Sequence, residues 1–307
     1  MANLKELAAQ QERFVGGHRA CAGCGATIVA RMVLMAAQQP VVVGAATGCL
    51  EVISTIYPYS AWNVPYIHSA FENVAATMSG VEAAYKNLKK KGKINKDLRF
   101  IAFGGDGGTY DIGLQALSGM IERWHRLLYI CYNNEAYMNT GIQRSSATPY
   151  GAHTTTSPAG KIIPGKLQPR KNLTEIVIAH EPAYAAQATI GYWNDLITKV
   201  RKALDADGPS FINIYSPCRL GWAYIPEKTV AVTKLAVETC VWPLYEYQDG
   251  KYRITVKPKE KKPITEFTNL QGRFGHLAKL PDDTIIKQFQ GEVDRIWERL
   301  LKRSEAQ

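Results

Sequence analysis

The sequence predicts an α/β fold, a mostly parallel sheet flanked by helices, with an irregular C-terminal arm. Three observations lead there. Short strand-like runs alternate with helical patterns through the first 220 residues. The runs are apolar throughout rather than alternately polar, as in strands buried on both faces. Glycine, asparagine or cysteine follows directly on the ends of several of them, where open α/β sheets bind ligands.

In order, the strand runs are PVVVGAAT (40–47), LRFIAFG (98–104), LLYICY (127–132), YAAQAT (184–189) and SFINIYS (210–216). Between them, 69–91 carries Ala and Val at helical spacing, 111–124 sets Ile112, Ala116, Met120 and Trp124 one turn apart, and 193–205 is amphipathic. Such alternation reads as βαβ units. After Pro217 the pattern changes. YEYQDGKYRITV predicts a small hairpin turning at Asp249-Gly250, and 284–303 places Ile285, Phe289, Val293, Ile296 and Leu300 on one helical stripe. The expectation is an α/β domain over 1–225 and a C-terminal extension over 226–307 that wraps the domain or a partner subunit.

With 307 residues, 46% of them hydrophobic, the chain can bury a large core. IVARMVLMAA, interrupted by Arg31, and VVVGAATGCL are too short to span a bilayer. The start MANLKELAAQQERF is polar and helical, unlike a signal peptide. A cytoplasmic protein without membrane contact is expected. The net charge of +10 gathers in KNLKKKGKINK (86–96) and KPKEKKP (257–263), which lack interleaved aromatics for stacking on bases, so nucleic acid is not an expected partner. Six cysteines in such a chain point to metal or redox chemistry rather than disulfides.

The predicted strands put Thr47-Gly48-Cys49, Gly105-Asp106-Gly107, Asn133-Asn134 and Pro217-Cys218 on one rim. Glycines let backbone amides approach a phosphate closely. Asp106 needs a cation between itself and any phosphate, and magnesium accepts a carboxylate, an amide oxygen and phosphate oxygens together. Read alone, FGGDGG is equally a strand-to-helix turn capped by Asp106. Cys21 and Cys24 form Cys-x-x-Cys in HRACAGCG; with Cys49 and Cys218 they suit tetrahedral zinc or an iron-sulfur cluster, and spacing alone favours zinc. Cys131, inside a strand, and Cys240, in the tail, are expected to be packing residues. On that reading a zinc-stabilised interaction protein is the rival of a different class.

HRACAGCG, TGCLE, FGGDGGTYDIG, YNNEAYMNTGIQRSSATPYGA, TTTSPAGK, SPCRLGW, PEKT and ETCVWPLYE, in this order, resemble the thiamine diphosphate-binding β subunit of the 2-oxoacid:ferredoxin oxidoreductases, especially the pyruvate enzyme. The resemblance covers nearly the whole chain and implies the thiamine diphosphate-binding fold. It replaces zinc by one [4Fe-4S] cluster on Cys21, Cys24, Cys49 and Cys218. It assigns magnesium to the side chains of Asp106 and Asn134 and the carbonyl of Ala136, with Asn133 the competing ligand if the register slips by one. Gly48, Cys49, Gly105, Gly107, Gly108, Asn139 and Thr140 become cofactor contacts, Asn139 near the reacting carbon. For Asn139 and Thr140 the alternative is a turn satisfied by its own side chains, and the cofactor role is favoured more for Asn139 than for Thr140.

The implied reaction is oxidative decarboxylation of a 2-oxoacid, electrons passing through the cluster to ferredoxin and coenzyme A taking the acyl group. The implied partners are an α subunit supplying the aminopyrimidine-side domain and a further subunit or domain with ferredoxin-type clusters. One position departs. Ala26 stands where related chains commonly carry an acidic residue, and loss of an anion near the reaction centre would admit a more anionic substrate such as oxalate, which needs no coenzyme A.

Overall fold

Strands β1 (Val41–Ala46), β2 (Tyr66–Ser69), β3 (Arg99–Gly105), β4 (Leu128–Asn133), β5 (Tyr184–Thr189), β6 (Ser210–Tyr215), β7 (Leu244–Gln248) and β8 (Lys251–Val256) form one sheet in the computed structural model, which describes residues 3–160 and 162–305. The order is β2-β1-β3-β4-β6-β5-β7-β8. All pairings from β2 to β5 are parallel, and β7 and β8 add an antiparallel edge. Lys161, the last residue of TTTSPAGK, lies outside the described residues.

Burial on both faces explains the unbroken apolar runs. Along β4, Leu128, Ile130 and Tyr132 enter one apolar layer and Tyr129 and Cys131 the other. Ile212 and Ile214 of β6 face the first layer and Phe211 the second. The first layer is covered by helices α1 (Leu4–Ala8), α2 (Gly25–Ala36) and, later in the chain, Trp193–Asp205. Between them in sequence come α3 (Cys49–Ser54), α4 (Val74–Lys90), α5 (Leu114–Glu122) and α6 (Leu173–Ile178), so Trp193–Asp205 is α7. Helices α4, α5 and α6 cover the opposite face. Helices α8 (Arg219–Trp222), α9 (Thr229–Glu238), α10 (Ile264–Thr268) and α11 (Thr284–Glu305) build a third cluster around Trp222, Trp242, Phe274 and Phe289.

Chain direction fixes where a ligand can sit. From β1 the sheet runs outward to β2, whereas β3 lies on the other side of β1 and continues to β4. The strand order therefore reverses between β1 and β3, and crevices open beyond the carboxyl ends at such points. Register keeps those ends level, with Ala45 beside Phe103, Gly105 beside Tyr132 and Asn133 beside Tyr215.

Three elements differ from the sequence reading. The predicted helix 69–91 begins at Val74, because Tyr66–Ser69 pairs with β1 as a short edge strand too polar to show an apolar run. The predicted helix 111–124 is a π-helical turn, Gly107–Ile112, followed by α5. The wide turn shifts the helical phase, so Leu117, Met120 and Ile121 are buried while Ile112 and Trp124 are exposed. The C-terminal segment supplies β7 and β8 to the main sheet; their turn at Asp249 and Gly250 has φ 51° and 78°, the double positive φ of a two-residue hairpin.

Candidate functional site

The loops after β1, β3 and β4 enclose a cleft of about 230 Å³. Its walls are Thr47, Gly48, Cys49, Gly105, Asp106, Gly107, Gly108, Asn134, Ala136, Asn139 and Thr140, joined by Phe71, Tyr132, Tyr137 and Met138. The last four escape a reading based on glycine and polar motifs, since each is an aromatic or apolar residue in a run rich in them. The glycines are steric necessities. A Cβ on Gly107 would stand 2.5 Å from the Tyr137 ring, and one on Gly108 would stand 2.8 Å from the Phe71 carbonyl. Beneath Gly48 and Gly105, the buried hydroxyl of Tyr132 has no hydrogen-bond partner among the described residues.

Asp106 is buried at the cleft floor. Its Oδ2 accepts from Ser145 Oγ at 2.5 Å and its Oδ1 from the Asn134 backbone N–H at 3.1 Å. Burial pushes its carboxyl up to about 7 against the pull of those two hydrogen bonds, and the Glu135 charge adds to the rise. The Asn134 carboxamide donates its N–H groups to Asp106 Oδ1 at 2.9 Å and to the Ala136 carbonyl at 2.8 Å. Turned over, the same amide would set its oxygen beside those two acceptors, an arrangement that would call for a cation.

Asn133 is committed elsewhere. Its amide donates to Tyr110 Oη at 2.9 Å and its Oδ1 accepts from the Glu135 N–H at 3.0 Å. Asn139 is exposed at the rim. The Thr140 hydroxyl donates to Gln143 Oε1 at 2.5 Å, and Gln143 Nε2 returns a bond to the Thr140 carbonyl at 2.7 Å, so this turn satisfies itself.

The four cysteines come from three segments that adjoin beside this rim. Cys24 caps α2, Cys49 opens α3 and Cys218 caps α8. The Gly25 N–H donates to the Pro217 carbonyl at 3.3 Å, and a Cβ on Gly25 would stand 2.8 Å from that oxygen, so the Cys-x-x-Cys loop lies directly on Pro217-Cys218. Burial pushes the Cys49 thiol up to about 12, with Cys218, Cys24, Asp106 and Cys21 near enough to raise it further. Cys218 is raised by burial and by Cys24 and Cys21. Among the described residues no three His, Cys, Asp or Glu side chains converge on a single ion position. Cys131 and Cys240 are buried in apolar clusters.

Ala26 belongs to the apolar layer around α2 and does not line the cleft.

A family described as "Thiamine pyrophosphate enzyme, C-terminal TPP binding domain" matches residues 43–214, the stretch from β1 to β6. The chain is 57% identical to pyruvate synthase subunit PorB of Thermotoga maritima, over 99% of this chain and 97% of that protein. It is 47% identical to ketoisovalerate oxidoreductase subunit VorB of Pyrococcus abyssi, over 96% and 94%. The structure of a 2-oxoglutarate:ferredoxin oxidoreductase from Magnetococcus marinus shares the fold at a TM-score of 0.57 and 19% identity, covering 73% of this chain and 78% of that one. With its parallel sheet, glycine cleft and full-length likeness to these subunits, the chain belongs to the thiamine diphosphate-binding β subunits of the 2-oxoacid:ferredoxin oxidoreductases.

Proposed function

We propose that this chain is the subunit of a pyruvate:ferredoxin oxidoreductase that holds the diphosphate of thiamine diphosphate through magnesium and carries a [4Fe-4S] cluster beside it. The observation that carries the reading is the meeting of the buried Asp106 carboxylate, the Asn134 side chain and the Ala136 carbonyl at the cleft floor. With the Asn134 amide turned over, a carboxylate, an amide oxygen and a backbone carbonyl would be offered together, the hard oxygen donors that magnesium takes beside phosphate oxygens. Without the cation, the amide N–H groups and a carboxyl pushed up to about 7 relieve the same crowding.

The residues divide the task. Ser145 aims Asp106 by holding its far oxygen. Gly105, Gly107 and Gly108 line the cleft, where their backbone amides would approach a diphosphate, and Tyr132, unpartnered among the described residues, sets its hydroxyl under the same turn. Phe71, Tyr137 and Met138 exclude water from one wall. Asn139 extends to the rim, where the reacting part of the cofactor would emerge. When bound, thiamine diphosphate supplies the nucleophilic carbon and the electron sink for loss of CO2 from a 2-oxoacid.

Cys21, Cys24, Cys49 and Cys218 would hold the cluster. Four thiolates on a cubane bind four different irons and stand farther apart than four on one zinc ion, which suits cysteines that adjoin without meeting at a point. Raised thiols also require a metal to hold them as thiolates.

At about 230 Å³ the cleft is smaller than the roughly 300–1,000 Å³ of complete small-molecule pockets. That supports a two-subunit site, with an α subunit covering the aminopyrimidine and a further subunit or domain passing electrons to ferredoxin. Pyruvate with coenzyme A is the proposed substrate pair, after the relative named for pyruvate synthase.

Viologen reduction by the assembled complex tests it with pyruvate, 2-oxoglutarate, 3-methyl-2-oxobutanoate and oxalate, each with and without coenzyme A. Coenzyme A-dependent preference for pyruvate is expected. Preference for the branched oxoacid, or oxalate turnover without coenzyme A, overturns the substrate assignment.

A further inference from the structure

Glu135 lies between Asn134, whose side chain reaches Asp106 Oδ1 at 2.9 Å, and Ala136, whose carbonyl lies 2.8 Å from that same side chain. Its backbone is left-handed, φ 64°, a conformation that a residue with a side chain keeps only where its surroundings enforce it. The enforcement is visible. The Glu135 N–H donates to Asn133 Oδ1, its carbonyl accepts from Thr148 Oγ1 at 2.6 Å, and its fully buried carboxylate accepts from Arg170 at 2.8 Å on Oε1 and from Arg273 at 2.6 Å on Oε2.

One arginine would neutralise that carboxylate. The second leaves an excess positive charge in a dry site, which is costly unless the geometry is needed. Arg273 is buried, its guanidinium lies 3.9 Å from the Trp222 ring centre, and its Nε donates to Gln271 Oε1 at 2.9 Å. Trp222 in turn donates its indole N–H to the Asn134 carbonyl at 2.7 Å. The Asn134–Ala136 turn is therefore gripped on one side through Glu135 and on the other through Trp222, and Arg273 joins the two grips. A carboxylate held on both oxygens from different elements cannot rotate, and neither can the backbone attached to it.

We propose that Arg273 is a positioning residue that sets the separation of the Asn134 and Ala136 oxygens, acting through Glu135 and Trp222 from the C-terminal segment. The inference rests on the reading of those oxygens as a magnesium site. Outer-shell partners of metal ligands typically command about 10- to 100-fold in metal affinity.

The test uses the assembled complex, with Arg273→Met, which leaves Glu135 its Arg170 partner, and Trp222→Phe, which keeps the ring and removes the N–H. Thiamine diphosphate binding is followed by calorimetry across a magnesium series, well below the unfolding temperature of each variant. Arg273→Met should move the magnesium midpoint up by about 10- to 100-fold, Trp222→Phe in the same direction by less, and saturating magnesium should restore binding in both. A general loss of structure would not be recovered by the cation in this way. Wild-type midpoints in the assembled variants overturn the role of Arg273; if Arg273→Met does not assemble, a wild-type midpoint in Trp222→Phe does so alone. A wild-type complex that binds thiamine diphosphate without regard to magnesium overturns the site reading itself, and that result is seen before any variant is made.

Discussion

A carboxylate buried as deeply as Asp106 is a poor anion until something positive arrives. Its far oxygen is fixed by Ser145, its near oxygen faces the Asn134 amide, and its pKa has risen to about 7. Asp106→Ala removes the only carboxylate that lines the cleft among the described residues. Calorimetric titration of the assembled complex should then show no magnesium-dependent binding of thiamine diphosphate. Unchanged affinity would remove Asp106 from the metal site. Asn133 and Asn134 show how little separates two adjacent amides in sequence: the first ends β4 and points to Tyr110, the second starts the loop and points to Asp106.

Elements place the cysteines. Cys218 caps α8 on the loop after β6, next to the Cys21–Cys24 loop, whereas Cys131 sits inside β4 with its thiol pushed well above the usual range by burial. Thiols of one type thus meet opposite fates through strand position. Cys218→Ala should lower the iron content of the anaerobically purified complex and stop ferredoxin reduction, while Cys131→Ala should retain its iron. The reverse pattern, measured by iron and acid-labile sulfide, would show that the cluster is held elsewhere. The π-helical turn after Asp106 is likewise an element-level device. Its extra width places Tyr110 against Asn133 and Asn213 and sends Asp111 to Tyr137 Oη at 3.0 Å on the cleft wall.

At the scale of the whole molecule, one buried cation among the described residues, Lys166, lacks a carboxylate partner. Lys166 donates to the carbonyls of Thr148 and Pro169, and burial lowers its pKa to about 8, helped by Arg144 and Arg170 and opposed by Glu292 and Glu135. Unfolded, a lysine titrates near 10.5, so between pH 8 and 10.5 the unfolded chain holds a proton that the folded chain has released. Folding stability therefore gains from this residue as pH rises through that window and loses the gain below pH 8. Denaturant midpoints of wild type and Lys166→Met should diverge in favour of wild type from pH 8 to 10, by up to about 1.4 kcal/mol per pH unit. Parallel curves would mean that Lys166 titrates normally.

The sequence by itself determined the parallel sheet, because strands buried on both faces must be apolar throughout, and the cleft rim, because only glycine, asparagine and cysteine at strand ends break those runs. It also carried the β-subunit likeness, the hairpin at Asp249-Gly250 and the stripe of α11, all of which depend on neighbours in sequence. Tertiary structure alone decided what depends on distant neighbours. It made Tyr66–Ser69 a strand through pairing with β1, shifted the phase of α5 by a π turn, and packed Ala26 into the apolar layer around α2. It also brought Arg273 onto Glu135, 138 residues apart in the chain. No local pattern encodes that contact, since a buried arginine reads as a surface charge until the fold supplies the carboxylate and the indole it lies against.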